Sequence, residues 1–311
     1  MARVPNVVCV TGASSQLGVF LLPRLRDAGF RVQALGRRAP HKPLDVAERV
    51  TWMRTSLLAD GERRDQVVRH PPPDQLVSCG PLELALRLVL RYPGLQRVVA
   101  FSSSSVVSKA ESGDRGERRR MAKMAADEEA LSAACSERGL PLLLLRPTLI
   151  YGCGMDRNVS LLAGLAARCG LIPLAGAAGG LRQPVHADDL AALAVSALQA
   201  GEPLAAQSAA CGGETLSYRE MAGRIAALQS RSVRLLTLPE SLMAALLRVL
   251  ATLPGWAGIN AEMARRQNQD LVFDDSALRL ALDWNPRPFE PCAADFGVPE
   301  HCRNLQLPGE P

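Results

Sequence analysis

Thirteen residues near the start of the chain, Asn6-Val7-Val8-Cys9-Val10-Thr11-Gly12-Ala13-Ser14-Ser15-Gln16-Leu17-Gly18, constrain the fold more than any others. Their opening apolar, largely β-branched run reads as a fully buried parallel strand, and Thr11-Gly12 breaks it. Leu17, Leu21, Leu22 and Leu25 then recur at helical spacing. A strand, a tight turn and a helix follow one another without a linker. Such a turn leaves the first N–H groups of the helix unpaired beside the positive end of its dipole, where a phosphate can bind. Gly12 and Gly18 keep that approach open, and the other reading of two glycines here is an ordinary packing turn.

Context favours the phosphate. A second strand, Arg31-Val32-Gln33-Ala34-Leu35, begins where a β-α-β unit of roughly 30 residues would put it, and it runs into Gly36-Arg37-Arg38. In dinucleotide-binding folds the end of this strand meets the adenosine ribose; a carboxylate there accepts the 2′-OH, and an arginine pairs with a 2′-phosphate. Arginines and no acid stand at this place. The cofactor expected is therefore NADP(H) rather than NAD(H), held by Arg37 and Arg38.

Further strands are expected at 50–54, 74–79, 97–101 and 140–145, with a helix over 82–90 and a long one over 117–138 that stops at Gly139. The fold class is α/β, a Rossmann-type doubly wound parallel sheet with a smaller C-terminal substrate-binding region. Residues 1–151 form the dinucleotide-binding domain. Residues 152–311 are mainly substrate-binding, with 183–212 returning to the Rossmann part. Ligands of open parallel sheets lie beyond the carboxyl ends of the strands, so Gly12, Arg37, Ser78 and Ser104 should line one crevice. Within 183–190 a short strand precedes a helix capped by Asp188 or Asp189, and Ser217 caps another over 218–228.

Composition removes other classes. A chain of 311 residues, 48% hydrophobic and 22% charged, is neither disordered nor fibrous. Its net charge of +5 is spread out; the arginines at 115–120 have Glu117 among them and no stacking aromatics, so no nucleic-acid partner is expected and a solvated helix face is. The eight cysteines lack CxxC spacing and histidine partners, which argues against a metal site and for reduced thiols in a cytoplasmic protein. The start of the chain has no apolar signal region, and no run of about 18 apolar residues could span a bilayer. Residues 242–253, apolar on nearly every side and followed by Trp256, read as a buried helix or a homodimer contact; a peripheral membrane face is the alternative.

Several pieces in order resemble the NAD-dependent epimerase/dehydratase family of extended short-chain dehydrogenases/reductases, over roughly residues 5–290. They are Thr11-Gly12-Ala13-Ser14-Ser15-Gln16-Leu17-Gly18, Phe101-Ser102-Ser103-Ser104, Leu145-Arg146-Pro147-Thr148-Leu149-Ile150-Tyr151-Gly152, Pro184-Val185-His186-Ala187-Asp188-Asp189-Leu190-Ala191 and Gly212-Gly213-Glu214-Thr215-Leu216-Ser217. Gln269-Asp270-Leu271-Val272-Phe273-Asp274 and Pro286-Arg287-Pro288-Phe289 are similar to bacterial nucleotide-sugar epimerase-like members. The resemblance implies that Thr11, Gly12, Ser14, Ser15, Gln16, Leu17, Gly18, Arg37, Arg38, Ser78, Lys123 and Pro147 hold the dinucleotide. It also implies that Ser104 and Lys123 serve catalysis on a small-molecule substrate, a nucleotide sugar first among the candidates.

Two departures stand out. Ser15 replaces the middle glycine of the phosphate turn. The family's Tyr-xxx-Lys pair aligns with Arg119 and Lys123, and an arginine cannot act as the neutral-pH general base that a lysine-assisted tyrosinate provides. The chain's three tyrosines, Tyr92, Tyr151 and Tyr218, all lie outside 102–149. Tyr151 packs beside the nicotinamide or substitutes as the acid, and His186 is structural. The readings left open are an NADP-dependent oxidoreductase or epimerase acting on a hydroxyl or keto group, a non-catalytic NADP(H)-binding protein, and a sterol or lipid alcohol dehydrogenase.

Overall fold

The computed structural model describes residues 6–36, 39–40, 49–54, 71–201, 206–252, 259–297 and 305–306. Seven parallel strands build the central sheet: β1 (Val7–Thr11), β2 (Arg31–Gly36), β3 (Val50–Arg54), β4 (Gln75–Ser78), β5 (Arg97–Phe101), β6 (Leu142–Pro147) and, after the shorter elements described below, β11 (Gln207–Ala210). Their spatial order is β11-β6-β5-β4-β1-β2-β3. The order reverses at β1, the crevice-forming switch point of a doubly wound sheet. The Rossmann-type α/β architecture is that expected from the strand–turn–helix opening.

Both faces of the sheet are covered, and the residues explain why. Val8, Val10, Val32, Ala34, Val77 and Val99 face a cluster with Leu17, Leu21 and Leu25 of α1 (Gln16–Asp27). Cys9, Leu76, Val98 and Leu144 face the opposite one, with Leu82, Leu88 and Val89 of α2 (Leu82–Arg91) and Leu131 of α4 (Arg115–Glu137). Alternate side chains of one strand thus feed two cores, so the strands read as continuous apolar runs. A single-turn helix, α3 (Ser105–Ser108), leads from β5 towards α4, which is capped by Asp114 through its bond from the Glu117 N–H at 2.7 Å.

The rest of the chain adds small elements on the side of the carboxyl ends. β7 (Ile150–Tyr151), α5 (Val159–Cys169), β8 (Leu171–Ala175), β9 (Leu181–Arg182) and β10 (Val185–His186) precede α6 (Ala187–Gln199), which packs on α1; β11 then joins the main sheet beside β6. After β11 come β12 (Leu216–Ser217), α7 (Tyr218–Ala227), β13 (Arg234–Leu238), α8 (Glu240–Leu250), α9 (Glu262–Arg266) and α10 (Ser276–Leu282). β8 and β13 form a parallel pair that the sequence pattern did not disclose. Ser217 caps α7 in a reciprocal arrangement with Glu220, as expected.

Two expectations change. The cap of α6 is His186, whose Nδ1 accepts the Asp188 N–H at 3.0 Å, and not Asp188 or Asp189. Those carboxylates lie inside the first turn, where they suit the helix dipole and bind Arg24 and Arg287 instead. The apolar helix α8 is not buried: Met243 alone is enclosed, while Leu242, Leu246 and Val249 stand 54%, 39% and 63% exposed. The expectations of a homodimer contact and of a peripheral membrane face both fall on this stripe, whose continuation through Trp256 lies outside the described residues. No described helix is long and apolar enough to cross a membrane. Of the described cysteines, Cys9, Cys135, Cys153 and Cys211 are buried and Cys169 and Cys292 exposed.

Candidate functional site

The turn after β1 carries Gly12 at φ +64°, left-handed backbone that favours glycine. A methyl group there would stand 2.5 Å from the Cys79 carbonyl oxygen, and one on Gly18 would run into the Ala13 carbonyl. The glycines are thus required first by backbone packing, a tighter constraint than the open approach inferred from sequence. Ser15 is the N-cap of α1, its hydroxyl accepting the Gly18 N–H at 3.2 Å. The N–H groups of Gln16 and Leu17 have no acceptor among the described residues, so two donors still point out of the helix end.

Thr11 and Ser78 are fully buried, the Thr11 hydroxyl donating to Ser78 Oγ at 3.0 Å, so these two tie β1 to β4 beneath the turn rather than reach a ligand. Pro147 fixes the neighbouring edge, its carbonyl accepting the Ser104 N–H at 3.0 Å. Ser14 lies half-buried in the turn itself. Arg37 and Arg38, on which the 2′-phosphate argument rests, lie outside the described residues.

A cavity of about 490 Å³ continues from Gln16 across the end of β5 to the later elements. Ser103, Ser104, Ser105, Ser108, Lys109 and Glu117 form one wall. Thr148, Asn158, Arg182, Gln183, Tyr218 and Arg266 also line the cavity, Arg266 being joined to Glu117. The Gln16 amide donates to the Gly152 carbonyl at 2.6 Å and so links the dinucleotide turn to the loop that closes the cavity. Ser104 is nearly buried, and its hydroxyl has no hydrogen-bond partner among the described residues.

Lys123 does not join this site. The inward stripe of α4 runs Glu117, Met121, Met124, Glu128, Leu131, Cys135, at steps of three and four residues, and the buried Glu128 holds Arg146 of β6. Lys123 falls off that stripe. Its side chain is 61% exposed and pairs with Asp127 at 2.7 Å and Glu83 at 3.6 Å. Arg119 is exposed as well. The aligned pair therefore faces solvent, and the helix turn nearest the strand ends carries Met121 and Met124.

The tyrosines do not restore the missing acid. Tyr151 is buried edge-on between His186 and Phe289, both 4.9 Å away, and burial pushes its phenol well above the usual range. Tyr218 lines the cavity, but burial raises it to about 12. His186 is structural as anticipated: with Nδ1 accepting the Asp188 N–H, Nε2 carries the proton and donates to Asp295 at 3.1 Å.

Arg182, Glu117, Arg266 and Lys109 were not singled out from sequence. Arg182 is 5% exposed; its guanidinium donates to the carbonyls of Leu181, Gln269 and Arg266, lies 5.5 Å from the Tyr218 ring, and has no carboxylate within ion-pair distance among the described residues. Burial lowers its pKa to about 10, so it stays charged at neutral pH. Glu117 takes the Arg266 guanidinium on both oxygens, at 2.8 and 3.1 Å, together with the Ser112 hydroxyl at 2.7 Å and Lys109 at 3.4 Å. Burial opposes its ionisation, yet the bonds from Arg266 and Ser112 prevail and bring its pKa down to about 2.

The residues present fit a dinucleotide at the turn and at the end of β5. The two helix-end donors, the N–H groups of Gln16 and Leu17, suit a pyrophosphate. Lys123, the lysine aligned with the role of holding the nicotinamide ribose, is turned to solvent instead.

Fold and site together define a Rossmann-type α/β protein with a polar, arginine-lined cavity beyond the strand ends. Residues 82–208 match the sequence model of the NAD dependent epimerase/dehydratase family. No curated protein matches the chain in sequence. Among solved structures it is similar to an epimerase of Methanothermobacter thermautotrophicus, with 19% identity, a TM-score of 0.69, and 97% of this chain and 92% of that one covered. It is similar also to the UDP-glucuronic acid 4-epimerase of Bacillus cereus in complex with UDP-glucuronic acid and NAD (14%, TM-score 0.68, 96% and 99% covered). A third is the Thermus thermophilus UDP-glucose 4-epimerase in complex with NAD (20%, TM-score 0.65, 96% and 99% covered). At these identities the likeness is one of fold.

Proposed function

We propose that this chain binds a nicotinamide dinucleotide at the β1–α1 turn and a nucleotide sugar in the adjoining cavity, as an oxidoreductase or epimerase acting on a hydroxyl or keto group. The single observation that carries the reading is Arg182: a buried, charged guanidinium in a cavity wall, without a carboxylate, calls for an anionic ligand group such as a diphosphate. The bound nicotinamide would accept or return hydride. On the protein side, Gln16 and Leu17 hold the pyrophosphate, Ser104 orients the substrate oxygen, and the cavity walls exclude water. Proton transfer runs through Ser104, bound water or the substrate itself, since burial keeps Tyr218 protonated at neutral pH, unfit as the general base, and Lys123 is outside.

NADP(H) is the cofactor we propose, on the strength of Gly36-Arg37-Arg38, although the similar solved structures carry NAD. A second reading, a non-catalytic NADP(H)-binding protein, is favoured by the exposure of Lys123 and the methionines on the inward face of α4. A sterol or lipid alcohol is the weaker alternative, because it offers Arg182 no anion. The test is titration calorimetry with NADPH, NADH, UDP and UDP-glucose, followed by absorbance at the nicotinamide band. Arg182→Gln should weaken UDP binding about tenfold or more while NADPH affinity stays unchanged. UDP binding untouched by that change would overturn the assignment; binding of both ligands without turnover selects the non-catalytic reading.

A further inference from the structure

Two arginines of the cavity, Arg182 buried and Arg266 largely enclosed, are in opposite electrostatic states. Arg182 has only carbonyl partners, whereas Arg266 is matched on both nitrogens by a carboxylate that the chain itself supplies. Glu117 comes from α4, 149 positions earlier in sequence, and it is anchored by Ser112 as well as by Arg266. Both partners are enclosed, at 12% and 7% side-chain exposure, so their attraction is poorly screened. Lys109, at 3.4 Å and more exposed, is the weaker and better-hydrated member of the group.

The position of this pair within the cavity decides its meaning. A group that reacts at the end of β5 must lie against Ser104, and Ser104, Ser105, Ser108, Lys109 and Glu117 form one continuous wall from that point. The glycosyl part of a nucleotide sugar therefore runs along the Glu117 wall. Its diphosphate is the part left for Arg182, which lines the same cavity.

We propose that Glu117 is a built-in anion that sets specificity: by neutralising Arg266 it makes the glycosyl subsite accept an uncharged hexose and reject a sugar bearing a carboxylate. This rests on the nucleotide-sugar reading given above. A hexose hydroxyl can donate to a Glu117 oxygen or accept from the outer N–H groups of Arg266. A uronate carboxylate in the same place would lie beside a second carboxylate that remains ionised, with the arginine that would have received it already taken. Like charges so placed are a strong element of selection against the wrong ligand.

Equilibrium titration of the full-length protein, loaded with dinucleotide, against UDP, UDP-glucose and UDP-glucuronate tests this without any need for turnover. The wild type should bind UDP-glucose at least about tenfold tighter than UDP-glucuronate, a ratio worth about 1.4 kcal/mol. Glu117→Gln keeps the shape, frees Arg266, and should raise the ratio of UDP-glucuronate to UDP-glucose affinity about tenfold or more. Equal or inverted preference in the wild type overturns the proposal whether or not the variant folds. So does a variant, folded by its melting transition, that gains or loses affinity for both sugars alike. If UDP itself fails to bind, the nucleotide-sugar reading falls and takes this inference with it; UDP binding with no sugar preference removes the inference alone.

Discussion

Replacing Gly12 by alanine probes the turn on which the site is built. The residue sits at φ +64°, which costs a residue with a Cβ roughly 1–2 kcal/mol. The added methyl would approach the Cys79 carbonyl oxygen at 2.5 Å and the Gly80 nitrogen at 2.7 Å, and neither backbone atom can rotate away. Relief requires the turn to move, at the expense of bonds such as Ala13 N–H to Leu35 O (3.1 Å), Ser15 N–H to Gly12 O (2.8 Å) or Cys79 N–H to Thr11 O (3.0 Å). Losing two at about 1 kcal/mol each brings the total to about 3–4 kcal/mol. Denaturant unfolding should show that loss, and the melting temperature should fall by about 10 °C. The dinucleotide-induced shift should shrink at the same time, because the turn that presents Gln16 and Leu17 has moved. Gly164, inside α5 with nothing within 4 Å of an added Cβ, is the control: Gly164→Ala should stabilise by up to about 1 kcal/mol. A Gly12→Ala protein as stable as wild type would refute the packing argument.

Other expectations are simpler. Lys123→Met should leave stability within about 0.5 kcal/mol and dinucleotide affinity unchanged by titration, because its ion pairs lie on an exposed face; a marked loss of affinity would return Lys123 to the site. Glu128→Ala should destabilise by about 3–5 kcal/mol in urea unfolding, since it abandons Arg146 half-buried at the end of β6. NADPH should bind about tenfold tighter than NADH, and Arg37→Ala should remove the difference; equal affinities would reject the 2′-phosphate assignment. Glu117 has a folded pKa of about 2, below its ordinary value of 4.5, so its stabilising effect is complete above that ordinary value and is lost as pH falls towards 2. Glu117→Gln should flatten the stability profile in that interval, as followed by melting at stepped pH.

The parts of the fold written in local pattern were legible. β1, its turn and α1 declare themselves because a strand buried on both faces must be apolar throughout, and the helix behind it shows its inward leucines every three or four residues. The Ser217 cap needed only four residues to recognise. The site was harder, because its charged groups acquire meaning from distant partners. Arg182 is buried by carbonyls of residues 266 and 269, and nothing near it in sequence distinguishes it from a surface arginine. In α4 the inward stripe contains Glu117 and Glu128, so its buried face looks as polar as its outer one. The phase that removes Lys123 from the cavity becomes visible only through the Glu128–Arg146 pair. The exposed Leu242, Leu246 and Val249 mislead in the opposite sense, since an apolar stripe predicts burial without naming what covers it.

The most direct test of the account is a crystal structure of the chain with NADPH and UDP-glucose both bound. The account predicts the dinucleotide pyrophosphate on the Gln16 and Leu17 N–H groups, the UDP diphosphate hydrogen-bonded to Arg182, and the hexose between Ser104 and Glu117. A diphosphate bound away from Arg182, or a hexose that leaves the Ser104–Glu117 wall empty, would contradict it.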